Sequence, residues 1–408
     1  MPSAPLRGTM DKILIIGAGH AGDAAAAMLR QYGHAGPITL LGEEGFAPYH
    51  RPPLSKAWLK GEMEAAAIAL RAADFYERQN ISLRLSTRAA AIDRHTRRVR
   101  LLGREDLPYD HLILATGARA RALAVPGAEL AHVHVLRSRR DADALRRALV
   151  PGTRLTIIGG GYIGLEIAAA ARALGVAVTL LEREAGLLAR VASPALAGFF
   201  QRLHTAHGVR MHLAAQVSAI TEAAVILADG TAIPSDHVLI GVGAQPNIVL
   251  AEAAGLDCTD GIMVDQTART TDPAIFAIGD CANRAIAGAR IRLESVPNAL
   301  EQAKQAAAAI TGRAAPAAET PWFWSDQYGV RLQIAGLLRD VHATIPRGDL
   351  HGATFALFHL DADGTVCAVE AVNAAEEFMA GRAMIHRRRI PDPSALANPA
   401  IPMRMIAA

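Results

Sequence analysis

The sequence predicts an α/β protein of two Rossmann-like dinucleotide-binding domains, followed by a small α+β C-terminal domain with an antiparallel sheet. Three observations predict it. Two segments, one near the N-terminus and one mid-chain, carry a complete strand, glycine turn, helix and strand. Two later segments are apolar strands that end in glycine, as the closing strands of such domains do. From Pro321 the pattern changes to alternating strands and proline-broken helical segments.

In chain order, Lys12–Ile16 is a short apolar run that breaks at glycine and reads as a buried parallel strand. The turn Gly17-Ala18-Gly19-His20-Ala21-Gly22 follows. Its first glycine allows the tight bend, the second lets a pyrophosphate approach the backbone, and the third lets helix pack on strand. A helix from about Asp23 to Gln31 and a strand over Ile38–Leu41 complete the unit, with Glu43 and Glu44 after it. His20 is read as packing or exposed surface. Pro48–Lys56, PYHRPPLSK, is proline-rich and turns helical at Ser55, a plausible N-cap, so that Lys56 is held in one direction.

Tyr109–Ala118 is a strand ending in Thr116-Gly117. The second dinucleotide unit begins at Arg154. Strand Leu155–Ile158 leads into Gly159-Gly160-Gly161-Tyr162-Ile163-Gly164, and an Ala-rich helix covers Leu165–Leu174. Its N–H groups would face phosphate. Strand Val176–Leu181 ends at Glu182, whose carboxylate can accept from ribose hydroxyls. Asp236–Pro246 repeats the closing form, so the second domain is inserted into the first. Strand Ile275–Ile278 returns to the first domain and ends in Gly279-Asp280, where a carboxylate suits ribityl hydroxyls or caps a helix. Ser295 opens a helix over Ala299–Ile310, whose positive end could face a flavin. Beyond Pro321, strands are expected at Arg331–Leu337, Thr354–Leu360 and Val366–Val372. Trp322 and Trp324 read equally as buried packing or as a wall beside a flavin. Two dinucleotide motifs suggest two dinucleotides bound together, and the natural pair is FAD with a nicotinamide nucleotide.

Composition narrows the class. At 408 residues, 51% hydrophobic and 20% charged, the chain suits a globular protein of two or three domains. A net charge of +3 is too small to imply nucleic-acid binding. The arginine clusters at Arg94–Arg100, Arg137–Arg147 and Arg387–Arg389 are read as solvated faces. No run reaches the roughly 18 apolar residues of a membrane span. The stretch MPSAPLRGTM has no apolar core of a secretory leader. Cys258, Cys281 and Cys367 are odd in number and far apart. No disulfide framework, metal site or dithiol centre is expected, and a cytoplasmic location is.

These segments carry a family resemblance. GAGHAG, PYHRPPLSK, LILATGARAR, IIGGGYIGLE, IFAIGDCA, ESVPNALEQA and PWFWSDQ together resemble the oxygenase-coupled NADH:ferredoxin reductases, of the putidaredoxin-reductase and biphenyl-dioxygenase type, within the glutathione-reductase-like flavoproteins. The resemblance runs from Lys12 into the last third of the chain. It implies an FAD-binding domain at 10–118 and 247–320, an NAD-binding domain at 119–246 and a C-terminal domain at 321–408 lying against the flavin. It also implies FAD contacts at Gly17, Gly19, Ala21, Gly22, Glu43, Arg51, Lys56, Ala89, Arg137, Asp280 and Val296, to which Thr116, Gly117 and Trp324 are added from the segment reading. NAD contacts would be Gly159, Gly161, Tyr162, Ile163, Gly164, Glu166, Glu182, Arg190 and Gly243. Lys56 and Glu166 match a lysine–glutamate pair beside the reactive edge of the flavin. Arg71 and Lys304 match positions that contact the ferredoxin, with lysine replacing an arginine at 304.

The implied activity is reduction of FAD by NADH, then single-electron delivery to a [2Fe–2S] ferredoxin that feeds a terminal oxygenase. Disulfide reductases of this fold need a dithiol near the flavin, and peroxidases need an early cysteine. The first cysteine here is Cys258, so electrons are expected to leave the flavin directly. Lys56 would stabilise negative charge on reduced flavin, with Glu166 orienting it. Two other readings stay open: an NADH oxidoreductase that uses oxygen or a quinone, and a redox-controlled binding protein of the apoptosis-inducing-factor type. A monomer or weak homodimer is expected.

Overall fold

The computed structural model describes residues 10–103, 105–286 and 288–407. Residues 1–9, where the sequence shows no leader core, lie outside the described residues. The chain folds into two compact units. The first takes 10–50, 65–119 and 245–318, and the second takes 51–64, 120–244 and 319–407.

The first unit is built on a five-stranded parallel sheet in the order Ile275–Ala277, His111–Leu114, Ile13–Ile16, Ile38–Leu41 and Ile81–Arg84. Strand Ile13–Ile16 is buried throughout, as its unbroken apolar run requires. Chain order reverses beside it, so the crevice at its carboxyl end is a topological switch point, where ligands bind in such sheets. Helix His20–Gln31 packs through Ala21, Ala24, Ala25 and Leu29 against Ala299, Ala303, Ala306 and Ala307 of helix Val296–Ile310. Apart from Leu29, these packing residues are all alanines.

The second unit repeats this plan. Its parallel sheet runs Arg210–His212, Ala177–Leu181, Arg154–Ile158, His237–Ile240 and Val133–His134. Helix Tyr162–Ala173 follows the central strand. The C-terminal region adds a five-stranded antiparallel sheet in the order Trp322–Gln327, Val330–Gly336, Val366–Val372, Phe355–Leu360 and Ala343–Gly348. Leu332, Ile334, Phe355, Leu357 and Val372 of this sheet share one core with Leu165, Ile167, Phe199 and Phe200. Within the second unit, the C-terminal sheet and the nucleotide-type sheet therefore exclude water together.

Three C-terminal strands were legible, and the two edge strands were not. Ala343–Gly348 contains Pro346, which cannot donate to a ladder and is tolerated at an edge. Both glycine-turn helices also start earlier than their apolar patterns suggest, at His20 and Tyr162, because the turn itself enters the first helical residues. Ser55 does not cap a helix. It ends a single 3₁₀ turn over Pro52–Ser55, Lys56 precedes the next short helix, and the Ser55 hydroxyl bonds Glu166 instead. Among the described residues no helix is long and apolar enough to cross a membrane.

Candidate functional site

The two glycine turns are the same structure made twice. Gly17 and Gly159 hold φ of +113° and +114°, a region that side chains rarely occupy. A Cβ on Gly17 would lie 2.1 Å from the Ala115 carbonyl oxygen, and one on Gly159 would lie 2.4 Å from that of Gly241. The last glycines fail the same way: a Cβ on Gly22 would meet the Gly17 oxygen at 1.9 Å, and one on Gly164 the Gly159 oxygen at 2.2 Å. The middle glycine of the second turn differs. Gly161 has an ordinary φ of −80° and nothing within 4 Å of its Cβ position. The fold does not need glycine there, and the space suits a ligand approaching the helix N-terminus.

Glu182 stands at the end of the neighbouring strand. Its carboxylate accepts from the Gly160 N–H at 2.6 Å and from the Glu184 N–H at 2.8 Å, which fixes it across the glycine turn. Arg183 is 75% exposed and pairs with Glu184 at 2.8 Å. Gly243, with φ of +110°, lies beside two cations: its Cβ position is 3.9 Å from both Arg121 Nε and Arg190 Nη2. Arg121 also donates its N–H to the Gly243 carbonyl. The sequence pointed to Arg190 as a nucleotide contact and gave no role to Arg121, the last residue of the segment LILATGARAR. Tyr162 begins the helix with its ring 4.8 Å from that of Phe323, while Ile163 is 47% exposed.

In the first unit, a Cβ on Gly279 would touch Ala21 at 2.9 Å and Ala299 at 3.8 Å. The structure thus joins the first glycine turn, the Gly279-Asp280 segment and the start of the helix that opens at Val296. Ser295 caps that helix by accepting from the Asn298 N–H. Asn298 and Gln302 are 4% and 0% exposed, yet Asn298 Oδ1 and Gln302 Nε2 have no partner. The Thr116-Gly117 corner is clamped by Asn247, whose amide donates to the Thr116 carbonyl at 2.9 Å and whose carbonyl accepts the Thr116 hydroxyl at 2.7 Å. Glu43 is exposed and faces Arg88 at 3.6 Å. Ala89 opens the strand Ala89–Asp93. Arg71 pairs with the buried Asp23 at 3.0 Å, which Tyr76 also binds at 2.7 Å. Lys304 lies half-buried on helix Val296–Ile310.

The second unit brings Lys56 and Glu166 together. Lys56 Nζ lies 2.7 Å from Glu166 Oε2, with the lysine side chain 21% exposed and the glutamate 5%. The lysine also donates to the Pro52 carbonyl at 3.2 Å. The segment is anchored along its length: Arg51 donates to the Arg137 carbonyl, and Trp58 donates to Asp143 at 2.8 Å. Asp143 belongs to helix Arg139–Ala148, which a Ser138/Asp141 capping box starts. The proline-rich stretch is therefore a rigid arm that presents one ammonium to one buried carboxylate. The rings of Trp322 and Trp324 lie 5.6 Å apart and tilted by 34°, and Trp322 packs on Phe378.

Two dinucleotide-type turns, a lysine–glutamate pair and widely spaced cysteines now stand together on one chain. Residues 11–303 match the pyridine nucleotide-disulphide oxidoreductases, and residues 322–407 match a reductase C-terminal domain. The chain belongs to the pyridine nucleotide-disulphide oxidoreductase family. It is 45% identical to the probable ferredoxin reductase CtmF of Castellaniella defragrans, over 97% of this chain and 99% of that protein. It is 40% identical to putidaredoxin reductase CamA of Pseudomonas putida, over 98% and 97% of the two chains. In the crystal structure of the covalent putidaredoxin reductase–putidaredoxin complex, a chain matches with a TM-score of 0.94 at 40% identity, covering 97% of each. In this pyridine nucleotide-disulphide oxidoreductase the three cysteines form no disulfide. Cys258, Cys281 and Cys367 are free, Cys281 is buried, and burial pushes the Cys258 thiol up to about 11.

Proposed function

We propose that this protein is an FAD-dependent NADH:ferredoxin reductase, passing electrons one at a time to a [2Fe–2S] ferredoxin that supplies an oxygenase. The Lys56–Glu166 pair carries the reading, because it is a built charge site in a chain without a dithiol. Residues 10–118 with 247–320 are assigned to FAD and residues 119–246 to NAD, with 321–408 as the C-terminal domain.

The residues present fit both groups. Near Gly279-Asp280, the unpartnered Asn298 Oδ1 and Gln302 Nε2 suit a polar ring system, and the space at Gly161 suits a pyrophosphate. When bound, FAD accepts hydride from NADH and releases electrons singly. Lys56 would supply positive charge to the reduced flavin, and Glu166 fixes the lysine. Arg121 and Arg190, both beside Gly243, would hold phosphate oxygens of the bound nucleotide. Arg71 and Lys304 are assigned to the ferredoxin surface, and the free thiols suit the cytoplasm. The test is NADH-driven reduction of a panel of [2Fe–2S] ferredoxins, run beside oxygen and quinones. Faster turnover with oxygen or quinones than with every ferredoxin would overturn the reading.

Nucleotide choice follows from Glu182. A fixed carboxylate repels a ribose 2′-phosphate, and Arg183, 75% exposed, can turn toward solvent with Glu184 as its partner. NADH is therefore preferred by at least about tenfold, the size of one charged hydrogen bond. Glu182→Ala should lower kcat/KM for NADH and narrow the gap to NADPH. Equal use of NADPH by the unaltered protein would make Arg183 the dominant contact.

A further inference from the structure

We infer that Ser325 and Gln327 are positioning residues for the Lys56–Glu166 pair, forming a buried chain of donors that runs from His204 to the Glu166 carboxylate. The inference rests on the function proposed above and adds residues to the same site. Every member belongs to the second unit.

The chain is continuous. His204 Nε2 lies 2.7 Å from Gln327 Oε1, Gln327 Nε2 lies 3.0 Å from Ser325 Oγ, and Ser325 Oγ lies 2.6 Å from Glu166 Oε1. Its direction is set by chemistry. The Gln327 carbonyl can only accept, so His204 carries its proton on Nε2. The Gln327 amide can only donate, which leaves the Ser325 hydrogen for the carboxylate. Glu166 Oε1 thus takes the serine, while Oε2 takes Lys56 and the Ser55 hydroxyl. With both oxygens occupied from fixed directions, the carboxylate cannot rotate, and the ammonium it holds cannot wander.

Burial supports this geometry. His204 is 0% exposed, Ser325 1%, Gln327 2% and Glu166 5%. Polar groups so deeply buried cost stability unless paired, and this set pairs its members mainly with one another. Burial lowers the His204 pKa to about 4, so the imidazole is a neutral donor. Strand and helix periods explain how the contact is made. Phe323, Ser325 and Gln327 alternate onto one face of strand Trp322–Gln327, while Tyr162 and Glu166 lie one turn apart on helix Tyr162–Ala173. Phe323 meets Tyr162 and Ser325 meets Glu166 in the same register. Among the described residues, Lys56 is the ion-pair partner of the carboxylate, and His204 reaches it only through the chain.

A rapid-mixing experiment on the FAD-loaded, full-length protein tests this. Ser325→Ala should lower the limiting rate of flavin reduction by NADH about tenfold, in keeping with one lost hydrogen bond to a charged group. NADH affinity and the rate at which chemically pre-reduced protein passes electrons to ferredoxin should stay within twofold. Ser325→Thr keeps the hydroxyl and should restore the rate. In a Glu166→Ala background, Ser325→Ala should add nothing, because the carboxylate it acts through is gone. A full effect in that background, or an Ala variant at the unaltered rate, would overturn the inference. If the unaltered protein failed to reduce its flavin with NADH, the proposed function itself would fall instead.

Discussion

Gly161→Ala is expected to leave the second unit folded and to raise KM for NADH at least tenfold, whereas Gly159→Ala, two residues earlier, should prevent the unit from folding normally. The contrast follows from what each added methyl meets. At Gly159 it lies 2.4 Å from a backbone oxygen and forces φ of +114° on a side-chain-bearing residue. Neither backbone segment can yield cheaply, and such strain belongs with the losses of about 4 kcal/mol or more seen for single substitutions. At Gly161 the methyl enters open space on ordinary backbone. Loss of a glycine N-cap for alanine costs about 1 kcal/mol at most. The methyl then occupies the approach to the helix N–H groups. Thermal melts and NADH titrations of both variants check this. A Gly161→Ala protein with unchanged KM would mean that no ligand comes close to the turn.

Lys56→Met should slow flavin reduction by about a hundredfold, the range found when one donor is removed from a developing anion. It should also destabilise the second unit. Glu166 would keep two hydroxyl partners and lose its one cation among the described residues, while 95% of its side chain stays buried. Breaking a wholly buried pair costs about 3–5 kcal/mol, and the partial exposure of Lys56 reduces this to about 2–3 kcal/mol. Lys56→Arg should recover most of the stability and less of the rate, because a planar fork cannot place its charge where the ammonium sits. Equal loss of rate in both variants with no change in stability would separate the lysine from Glu166.

Local chemistry made much of this legible in the sequence. Gly17, Gly159 and Gly164 are demanded by contacts that a pattern of strand, turn and helix already implies. Glu182 was found because it stands at a strand end, although its bonds to the Gly160 and Glu184 N–H groups were not foreseen. What sequence concealed is long-range. Ser325 and Glu166 are 159 residues apart, and no local period links a serine in a Trp-rich strand to a helix in another segment. The approach of Arg121 to Gly243 was hidden for the same reason. The Ala343–Gly348 strand was hidden by Pro346, a strand breaker whose missing N–H is harmless only at an edge.

The shared core of the second unit sets the order in which the protein can be finished during synthesis. The first unit closes with residue 318 of the chain. The second cannot, because Leu332, Phe355, Leu357 and Val372 fill the same core as Leu165 and Phe200. Residues 120–244 emerge from the ribosome long before those partners do. Until the last strands arrive, one face of the nucleotide-type layer stays bare and open to chaperones or to other nascent chains. The two units are thus completed in sequence, and ribosomal pausing or truncation late in the message would injure the earlier-made nucleotide layer as well as the C-terminal sheet.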